Sequence, residues 1–304
     1  MITAAILVIA LLLDAVSGEP EWIWSRLPHP AVLMGRAIAG LDRAFNAGRA
    51  RKARGILCLM VLMVVAWLTG AAITKLPLSP ILQVPLVAIL LAQRSLVDHV
   101  GAVATGLRSS LANGRTEVAK IVGRDTREMD EASIARAAIE SAAENLSDGV
   151  VAPAFWFLLL GLPGLFVYKI VNTADSMIGY KTPRHQAFGW AAARLDDVLN
   201  FIPARLTAVL ITNVNLRWNH LRQIRRDAAL HRSPNAGWPE AAMAVTLDVA
   251  LAGPRSYDGA LQDFPFVNTA GNHQINAHHV DLATQTLWRA WALMVAAITL
   301  LAIA

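Results

Sequence analysis

Long stretches without a charged residue constrain this chain more than any other feature. Residues 56–74, 76–93 and 149–168 hold no Asp, Glu, Lys or Arg over 19, 18 and 20 consecutive positions. A helix of about 20 apolar residues is long enough to cross the hydrocarbon core of a bilayer. Only 16% of the 304 residues are charged, whereas a soluble globular chain usually has about 25%. The sequence therefore predicts an all-α, polytopic membrane protein built as a helical bundle.

Apolar segments also occupy both ends of the chain. Residues 2–13 lack the basic start of a cleaved signal peptide and predict a first membrane helix that continues past Asp14. Residues 290–304 follow Arg289 and predict a last membrane helix. The one cysteine, Cys58, excludes a disulfide within the chain. We expect a single integral membrane domain over residues 1–304, with about four to six crossings.

The basic residues indicate an orientation. Five of them, at positions 43, 49, 51, 52 and 54, lie just before residues 56–74 and favour a cytoplasmic loop. Residues 98–148, with amphipathic helices and a turn at Asn113-Gly114, and residues 217–286 are then expected in the cytoplasm as well. The net charge of +5 fits anionic lipid headgroups rather than nucleic acid. We expect a multi-pass protein of the inner (cytoplasmic) membrane with a cytoplasmic active face.

Two apolar segments carry signals against a complete crossing. Residues 149–168 contain Leu160-Gly-Leu-Pro-Gly164, a turn signal at mid-membrane depth. Residues 198–216 contain Pro203 and Arg205. Either both segments cross or neither does, because the arginines that follow position 216 again indicate the cytoplasm. We favour re-entrant hairpins, whose irregular backbone is tolerated where protein or a cavity shields it.

The first of three charged clusters, residues 123–149, leads into the apolar residues that follow. Asp125 followed by Glu128 resembles a capping box and predicts a helix start. One face of this helix carries a charged side chain at every fourth position: Arg136, Glu140, Glu144 and Asp148. The stripe is either a solvated row of Arg–Glu pairs or a functional site, because acids at a membrane boundary are costly.

The second and third clusters combine acids with amides. Residues 168–181 place Lys169, Asn172 and Ser176 on one helical face, with Asp175 three residues beyond the asparagine. Residues 193–206 place Asp196 one turn before Asn200. Carboxylate and amide oxygens with water suit Mg²⁺, whose shell substrate phosphate usually completes.

Basic residues accompany these acids. Lys169, Arg194 and Arg205 suit the recognition of phosphate or carboxylate, the arginines in bidentate fashion. The local alternative is an ion pair between Arg194 and Asp197, three residues apart.

Two further loops are rich in turn residues. Residues 14–35 include His29, and residues 231–242 end at a helix start near Pro239-Glu240. The histidines at positions 273, 278 and 279 have no supporting ligand at metal spacing and are interpreted as a solvated loop. The sequence contains no Walker-type phosphate loop and no G-x-S-x-G elbow.

Taken in order, these segments resemble the adenosylcobinamide-phosphate synthase family, also called cobalamin biosynthesis protein B or D. The resemblance covers most of residues 14–260; residues 98–122 and those after 263 carry nothing over. The matching motifs are Asp14, Gly18-Glu19-Pro20, His29-Pro30, Gly35, Gly123-Arg124-Asp125-Thr126, IESAAENLSDGVVAPAFW, YKIVNTADSMIGY, FGWAAARLDDVLNFIPARL and HRSPNAGWPEAA.

The resemblance implies an acid–amine ligase. The family joins adenosylcobyric acid, through its free propionate, to (R)-1-aminopropan-2-ol or its O-phosphate, giving adenosylcobinamide or its phosphate. ATP and Mg²⁺ are the expected cofactors, because an amide does not form spontaneously from a carboxylate and an amine in water. The expected partners are the corrinoid, the amino alcohol, the lipid bilayer and other late cobalamin-assembly enzymes, and no nucleic acid is expected.

With this reaction in view, we assign candidate roles to 18 residues of the clusters and loops. An acid such as Asp197 or Glu144 would take the ammonium proton, and basic residues would neutralise transferring phosphate. The catalytic candidates are Glu140, Glu144 and Asp197, and the Mg²⁺ candidates are Asp148, Asp196 and Asn200. The candidates for binding substrate or nucleotide are Asp14, His29, Arg124, Asp125, Asn145, Lys169, Asn172, Asp175, Arg194, Arg205, His231 and Asn235.

Two other classes of protein remain alternatives. Intramembrane prenyltransferases also hold Mg²⁺ at the bilayer edge, but with D-x-x-x-D in two equivalent loops. Here the acids lie in dissimilar segments, as E-x-x-x-E-N and D-D-x-x-N. A corrinoid or cation transporter is the second alternative; transporters often contain inverted repeats, and this sequence shows no internal self-similarity.

Overall fold

The computed structural model describes residues 1–257 and 260–303, and most of this part of the chain is α-helical. A π-helix, Ser147–Val151, and a 3₁₀-helix, Trp218–His220, are the other helical segments there. The α-helices are α1 (Ile2–Ser17), α2 (Glu21–Trp24), α3 (Pro30–Phe45), α4 (Arg51–Thr74), α5 (Ser79–Leu90), α6 (Gln93–Ser109), α7 (Leu111–Val118), α8 (Glu131–Leu146), α9 (Ala152–Ile178), α10 (Trp190–Leu199), α11 (Phe201–Val214), α12 (Leu221–Ala228), α13 (Gly237–Leu247) and α14 (Ala277–Ile303).

Four helical runs of the described chain are long and apolar enough to cross a membrane. They are Arg51–Thr74, Ser79–Ser109, Glu131–Ile178 and Ala277–Ile303. The prediction of a helical, multi-pass membrane protein is thereby confirmed. The predicted first helix is present, and α1 continues past Asp14, whose side chain is buried. With 16 residues, α1 is not among these four runs, so its crossing of the membrane stays a prediction. The last helix begins 13 residues before the predicted start at position 290, and Ala304 lies outside the described residues.

The chain divides into two compact units, of which unit 1 comprises Met1–Ala92, Ala152–Asn200 and Ile298–Ala304. In this unit α4 packs along α9, and α3 and α10 complete an apolar cluster that includes Ile38, Val171 and Phe188. Gly70 allows the close approach, because a Cβ there would lie 2.7 Å from the backbone of Pro163.

Unit 2 comprises Gln93–Val151 and Phe201–Ala297. Its centre is α8, whose alanine-rich sequence is buried along most of its length against α6, α7 and α13. Four short strands form two antiparallel pairs: β1 (Leu251–Ala252) with β4 (Phe266–Val267), and β2 (Arg255–Tyr257) with β3 (Ala260–Gln262). The sequence did not indicate these strands, because two or three residues are too few to show an alternating pattern.

The predicted helix start at Asp125 is wrong. Helix α8 begins at Glu131, and Asp130 is its N-cap, since its Oδ1 accepts a hydrogen bond from the Ser133 amide at 2.8 Å. The capping pattern found at Asp125 and Glu128 thus lies within the loop before the helix. Asp125 and Asp130 offer competing caps, and only Asp130 is followed directly by the buried apolar face of α8.

The predicted turn at Asn113-Gly114 is also wrong, because both residues lie inside α7. The break falls at Ser110, whose Oγ accepts a hydrogen bond from the Asn113 amide at 3.1 Å. Gly114 serves packing instead of a turn: a Cβ there would lie 2.6 Å from Leu107 Cδ2.

The turn signal in residues 160–164 corresponds to a real break. Helix α9 is interrupted at Gly161, with φ 65° and ψ −158°, a backbone conformation that only glycine adopts easily. Helix α11, in the second of the two segments, has 14 residues, too few for a complete crossing. Re-entry into the membrane, the cytoplasmic segments 98–148 and 217–286, and the single domain all stay predictions.

Candidate functional site

The 18 candidate residues divide equally between the two units. Unit 1 contains Asp14, His29, Lys169, Asn172, Asp175, Arg194, Asp196, Asp197 and Asn200. Unit 2 contains Arg124, Asp125, Glu140, Glu144, Asn145, Asp148, Arg205, His231 and Asn235.

In unit 1, α9 and α10 bring polar side chains together in what we call the Asp196 cluster: Tyr168, Asn172, Asp196 and Asn200. Asn172 Nδ2 donates to Asp196 Oδ1 at 3.3 Å, and Asn200 Nδ2 donates to Asp196 Oδ2 at 3.0 Å. The buried Tyr168 hydroxyl donates to Asn200 Oδ1 at 3.0 Å. Burial raises the pKa of Asp196, and the hydrogen bonds from the two asparagines oppose that rise.

The Asp196 cluster has part of the donor set that Mg²⁺ takes. One carboxylate and two amides are present, and Mg²⁺ commonly combines one or two carboxylates with water and substrate phosphate. Across residues 1–257 and 260–303, no three His, Cys, Asp or Glu side chains are grouped to hold a metal ion. The cluster therefore fits the ion only with phosphate oxygens, and both amides would have to turn their oxygens towards it.

The third Mg²⁺ candidate, Asp148, lies in the π-helix of unit 2, a helix type frequent at functional sites.

Two other candidates of unit 1 have identifiable local roles. Arg194 Nη1 lies 3.4 Å from Asp197 Oδ2, so the expected local ion pair is present. His29 caps α3, because its Nδ1 accepts a hydrogen bond from the Ala31 amide at 3.1 Å. The His29 ring packs edge-on against Trp24, and burial lowers its pKa. Its Nε2 is buried without a hydrogen-bond partner among the described residues.

The remaining candidates of unit 1 lie on two helices. Asp14 is buried near the end of α1, and Lys169 and Asp175 lie on α9.

In unit 2, Glu140 is the centre of a buried network that we call the Glu140 cluster: Arg124, Glu140, His231, Glu240 and Arg255. Glu140 Oε2 lies 2.7 Å from Arg124 Nη2 and 3.3 Å from Arg255 Nη1. Its Oε1 accepts a hydrogen bond from the Ala252 amide at 2.8 Å. The side chains of Glu140 and Arg124 are each 8% exposed. Glu140 is thus not part of a solvated stripe, because its partners come from other segments and not from its own helix.

Ala252 adopts a left-handed conformation, with φ 59°, as it donates to Glu140. A non-glycine residue there stores backbone strain, which is commonest at functional sites. The next residue, Gly253, has φ 78°, and a Cβ there would lie 2.3 Å from Phe266 Cε1.

Glu240, in the first turn of α13, is the second acid of the Glu140 cluster. Its side chain is 5% exposed, and its Oε2 lies 3.7 Å from His231 Nε2. Its Oε1 is buried without a hydrogen-bond partner in the described part of the chain. Burial above all, and then the charge of Glu140, raises the pKa of Glu240 well above its usual range. Such a carboxyl group is suited to exchanging a proton at a higher pH than an ordinary glutamate.

A cavity of about 130 Å³ adjoins this cluster, and we call it the Arg232–Arg255 cavity. Its lining residues are Leu230, His231, Arg232, Ala252, Arg255, Phe264, Pro265 and Val267.

Arg205 and Asn235, two other candidates of unit 2, contact each other. Arg205 Nη1 donates to Asn235 Oδ1 at 3.0 Å and to the Phe201 carbonyl at 2.7 Å. The guanidinium group also stacks on Phe201 and Trp238, with centroid distances of 3.7 and 4.8 Å. These contacts explain how an arginine is accommodated in an apolar segment.

The other candidates of unit 2 lie near the ends of α8. Asp125 lies in the loop before it, and Glu144 and Asn145 are exposed in its last turn. Asn145 Nδ2 donates to the carbonyl oxygen of Ser141 at 2.9 Å.

Comparison with known proteins identifies the family. The family described as CobD/Cbib protein matches residues 7–287. The chain belongs to the CobD/Cbib family. It is 49% identical to the cobalamin biosynthesis protein CobD of Rhizobium meliloti, across 95% of this chain and 94% of that protein. The CobD proteins of Brucella suis and Rhodobacter capsulatus are 47% and 45% identical, across 95% and 87% of this chain and 94% and 87% of those proteins.

No solved structure matches the chain. Membership of the CobD/Cbib family confirms the resemblance found in the sequence motifs and gives the chain a role in cobalamin biosynthesis.

Three residues of these two clusters were not singled out from the sequence: Glu240, Tyr168 and Arg255. Glu240 lies inside the motif of residues 231–242, where it was taken only as part of a helix start. Tyr168 opens the second charged cluster, and its hydroxyl was not considered. Arg255 follows the last motif in a stretch without helical periodicity, so no signal in the single sequence pairs it with Glu140.

Proposed function

We propose that this chain is the acid–amine ligase that joins adenosylcobyric acid to (R)-1-aminopropan-2-ol or its O-phosphate, with ATP and Mg²⁺. Family membership supplies the pathway. The observation that supports amide chemistry is the Glu140 cluster, in which a buried, arginine-paired acid and a second acid of raised pKa adjoin a cavity.

Amide formation makes two demands on the protein. The corrinoid carboxylate needs an activated leaving group, which ATP supplies as an acyl phosphate when nucleotide and Mg²⁺ are bound. The ammonium group of the amine must lose a proton before its nitrogen attacks, with phosphate as the leaving group. Arginines that lie close to the transferring phosphate stabilise its charge, and a nearby carboxylate accepts the proton.

The residues of this chain fit those demands in two ways. Glu144 and Asp197 are the acids that we propose as proton acceptors, and Glu240 joins them because of its burial and raised pKa. For Glu140, whose charge two arginines compensate, we propose that it serves catalysis as a fixed anion that positions Arg124 and Arg255. In unit 1, Asp196 and Asn200 are the proposed Mg²⁺ residues, together with phosphate oxygens of the nucleotide. Asp148, in unit 2, is proposed by itself as a further Mg²⁺ residue.

We place the protein in the inner membrane with its active face towards the cytoplasm, because ATP is available there. Cysteines introduced at positions 127, 181 and 232 in a Cys58→Ser background should resist an impermeant thiol reagent in intact cells. They should react once the membrane is opened. Strong labelling of all three in intact cells would reverse this placement.

The decisive experiment is an ATP-consumption assay on the purified, full-length protein. ATP should be consumed only when adenosylcobyric acid and the amine are both present, and mass spectrometry should detect the amide. Release of diphosphate from a prenyl substrate without ATP would favour the prenyltransferase alternative. Passage of unmodified corrinoid into vesicles, without ATP consumption, would favour the transporter.

A further inference from the structure

The Arg232–Arg255 cavity has an unusual charge composition for a small pocket. Three of its eight lining residues are His231, Arg232 and Arg255, and the other five are apolar. No acidic side chain is among the lining residues in the part of the chain that the structure describes. Two acids contact lining residues: Glu140, which is also paired with Arg124, lies 3.3 Å from Arg255, and Glu240, whose pKa is raised, lies 3.7 Å from His231. The wall of the cavity is therefore positively charged.

Both guanidinium groups are held in place by aromatic stacking. Phe264 packs against Arg232 at 4.3 Å and against Arg255 at 5.1 Å from its ring centroid. Arg232 Nη2 donates to Gln262 Oε1 at 2.9 Å, which uses one of the five N–H donors of a guanidinium group. Arg255 is oriented by its contact with Glu140 at 3.3 Å. Two arginines fixed around one aromatic ring form a rigid set of donors.

The surroundings of His231 show the same positive field. Burial lowers the pKa of its imidazole, and the charges of Arg255 and Arg232 lower it further, whereas Glu140 acts in the opposite direction. Its Nδ1 accepts a hydrogen bond from the Ser233 amide at 3.0 Å, so the neutral ring carries its proton on Nε2. The cavity thus presents fixed cations beside a neutral imidazole.

The size of the cavity limits what it can contain. Its volume is about 130 Å³, well below the roughly 300–1,000 Å³ of pockets for drug-sized ligands. Since a water molecule occupies about 30 Å³ in the liquid, the space corresponds to about four waters. A phosphate group with a few attached atoms fits this space, and the remainder of a larger reactant would lie outside it.

We propose that the Arg232–Arg255 cavity binds a terminal phosphate group. Arginine pairs bind phosphate oxygens through short, charge-assisted and often bidentate hydrogen bonds. The proposal adds Arg232 and Arg255 to the residues that recognise a reactant, and in this respect it rests on the proposed function. The phosphate has two possible sources in that reaction: the O-phosphate of the amino alcohol and the terminal phosphate of the nucleotide.

The first experiment measures binding of inorganic phosphate to the purified, full-length protein by calorimetry. We compare wild type with Arg232→Gln, which removes one exposed cation, and with Arg255→Lys, which keeps the charge but loses the planar donor set. The control is Arg222→Gln, an exposed arginine of α12 that does not line the cavity. Phosphate affinity should fall by at least about tenfold in both cavity variants and stay unchanged in the control.

The melting temperature of each variant separates a binding defect from a folding defect. Arg232→Gln should melt like wild type, because its side chain is exposed. Equal phosphate affinity in wild type and Arg232→Gln, or an equal loss in Arg222→Gln, would overturn the proposal.

Competition then distinguishes the two sources. Displacement of bound phosphate by aminopropanol O-phosphate, but not by ADP or ATP, assigns the cavity to the amine substrate. Displacement by ATP alone assigns it to the nucleotide. Displacement by neither would show that no reactant phosphate binds there, which contradicts the proposal. If the cavity binds phosphate but the protein forms no amide, the anion site stands and the proposed ligase function is wrong.

Discussion

The Asp196 cluster of unit 1 and the Glu140 cluster of unit 2 accommodate a buried acid in opposite ways. Asp196 receives hydrogen bonds from neutral amides, those of Asn172 and Asn200. Glu140 lies against two guanidinium groups, those of Arg124 and Arg255. Amides satisfy the oxygens of an acid but leave its charge uncompensated, and the pKa of Asp196 is accordingly raised by burial. Two arginines compensate the charge directly.

The difference predicts what each cluster tolerates. An acid held by amides can bind or release a proton, or a cation, without leaving another charge buried. An acid held by buried arginines cannot be neutralised without stranding those cations, so it is a fixed part of the structure. Glu240 is a third case. Burial and the charge of Glu140 raise its pKa, and the opposing charge of Arg255 does not cancel that rise.

The largest effect on stability is expected for Glu140→Gln. The change leaves the buried Arg124 without its anion, and breaking a buried pair in this way typically costs about 3–5 kcal/mol. The free energy of unfolding in detergent measures the loss. The matched control is Glu117→Gln, which breaks the more exposed pair with Lys120 and should change stability by less than about 1 kcal/mol. Equal effects of the two substitutions would contradict the structural role that we assign to the buried charge of Glu140.

Glu144→Gln should affect activity and not folding. Glu144 is exposed on the same face of α8, one turn beyond Glu140. We expect normal membrane insertion and an activity loss of roughly a hundredfold or more, a barrier increase of about 2.7 kcal/mol. Rates of amide formation under saturating substrates provide the measurement. Turnover close to wild type would mean that Glu144 is an exposed surface residue of α8 without a catalytic role.

A smaller effect is the pH dependence that Glu240 introduces. Its pKa in the folded protein is raised above the usual value of 4.5. Above pH 4.5 the unfolded chain has released this proton while the folded protein still holds it, so stability falls as pH rises towards the folded pKa. Glu240→Gln cannot titrate and should lose this decline, which amounts to about 1.4 kcal/mol for each unit of pKa difference.

Unfolding free energies between about pH 4.5 and 8 test the Glu240 prediction. Glu128→Gln, a substitution in an exposed loop, should leave the slope as in wild type. An unchanged slope in Glu240→Gln would show that this carboxyl group is not protonated in the folded state.

The sequence was informative wherever a signal is local. Charge-free runs predicted the helices that can span a membrane, and a glycine and proline motif located the break at Gly161. The spacing placed Asp196 one turn before Asn200, and their side chains are hydrogen-bonded. The ion pair given as the local alternative for Arg194 and Asp197 is also present. These are interactions within one helix or at its end, where spacing alone determines proximity.

The sequence was less informative where partners are distant in the chain. Glu140 pairs with Arg255, 115 positions later, and nothing in either segment encodes that contact. The start of α8 was misplaced because Asp125 and Asp130 compete for the cap, and burial of the following face decides between them. The ion pairs of Glu140 depend on which segments pack against α8, and a single sequence does not reveal that packing.

The smallest change in stability is expected for Asp197→Asn, and it tests whether this acid is catalytic. Arg194 and Asp197 lie 3.4 Å apart with side chains 65% and 29% exposed. Such pairs contribute about 0–1 kcal/mol, so the variant should unfold nearly like wild type. The matched control is Arg194→Gln, which breaks the same pair but keeps the carboxylate. If the carboxylate itself accepts a proton, amide formation should fall by about tenfold or more in Asp197→Asn and clearly less in Arg194→Gln. Equal losses would mean that the pair only positions α10, and unchanged rates in both would remove Asp197 from the catalytic residues.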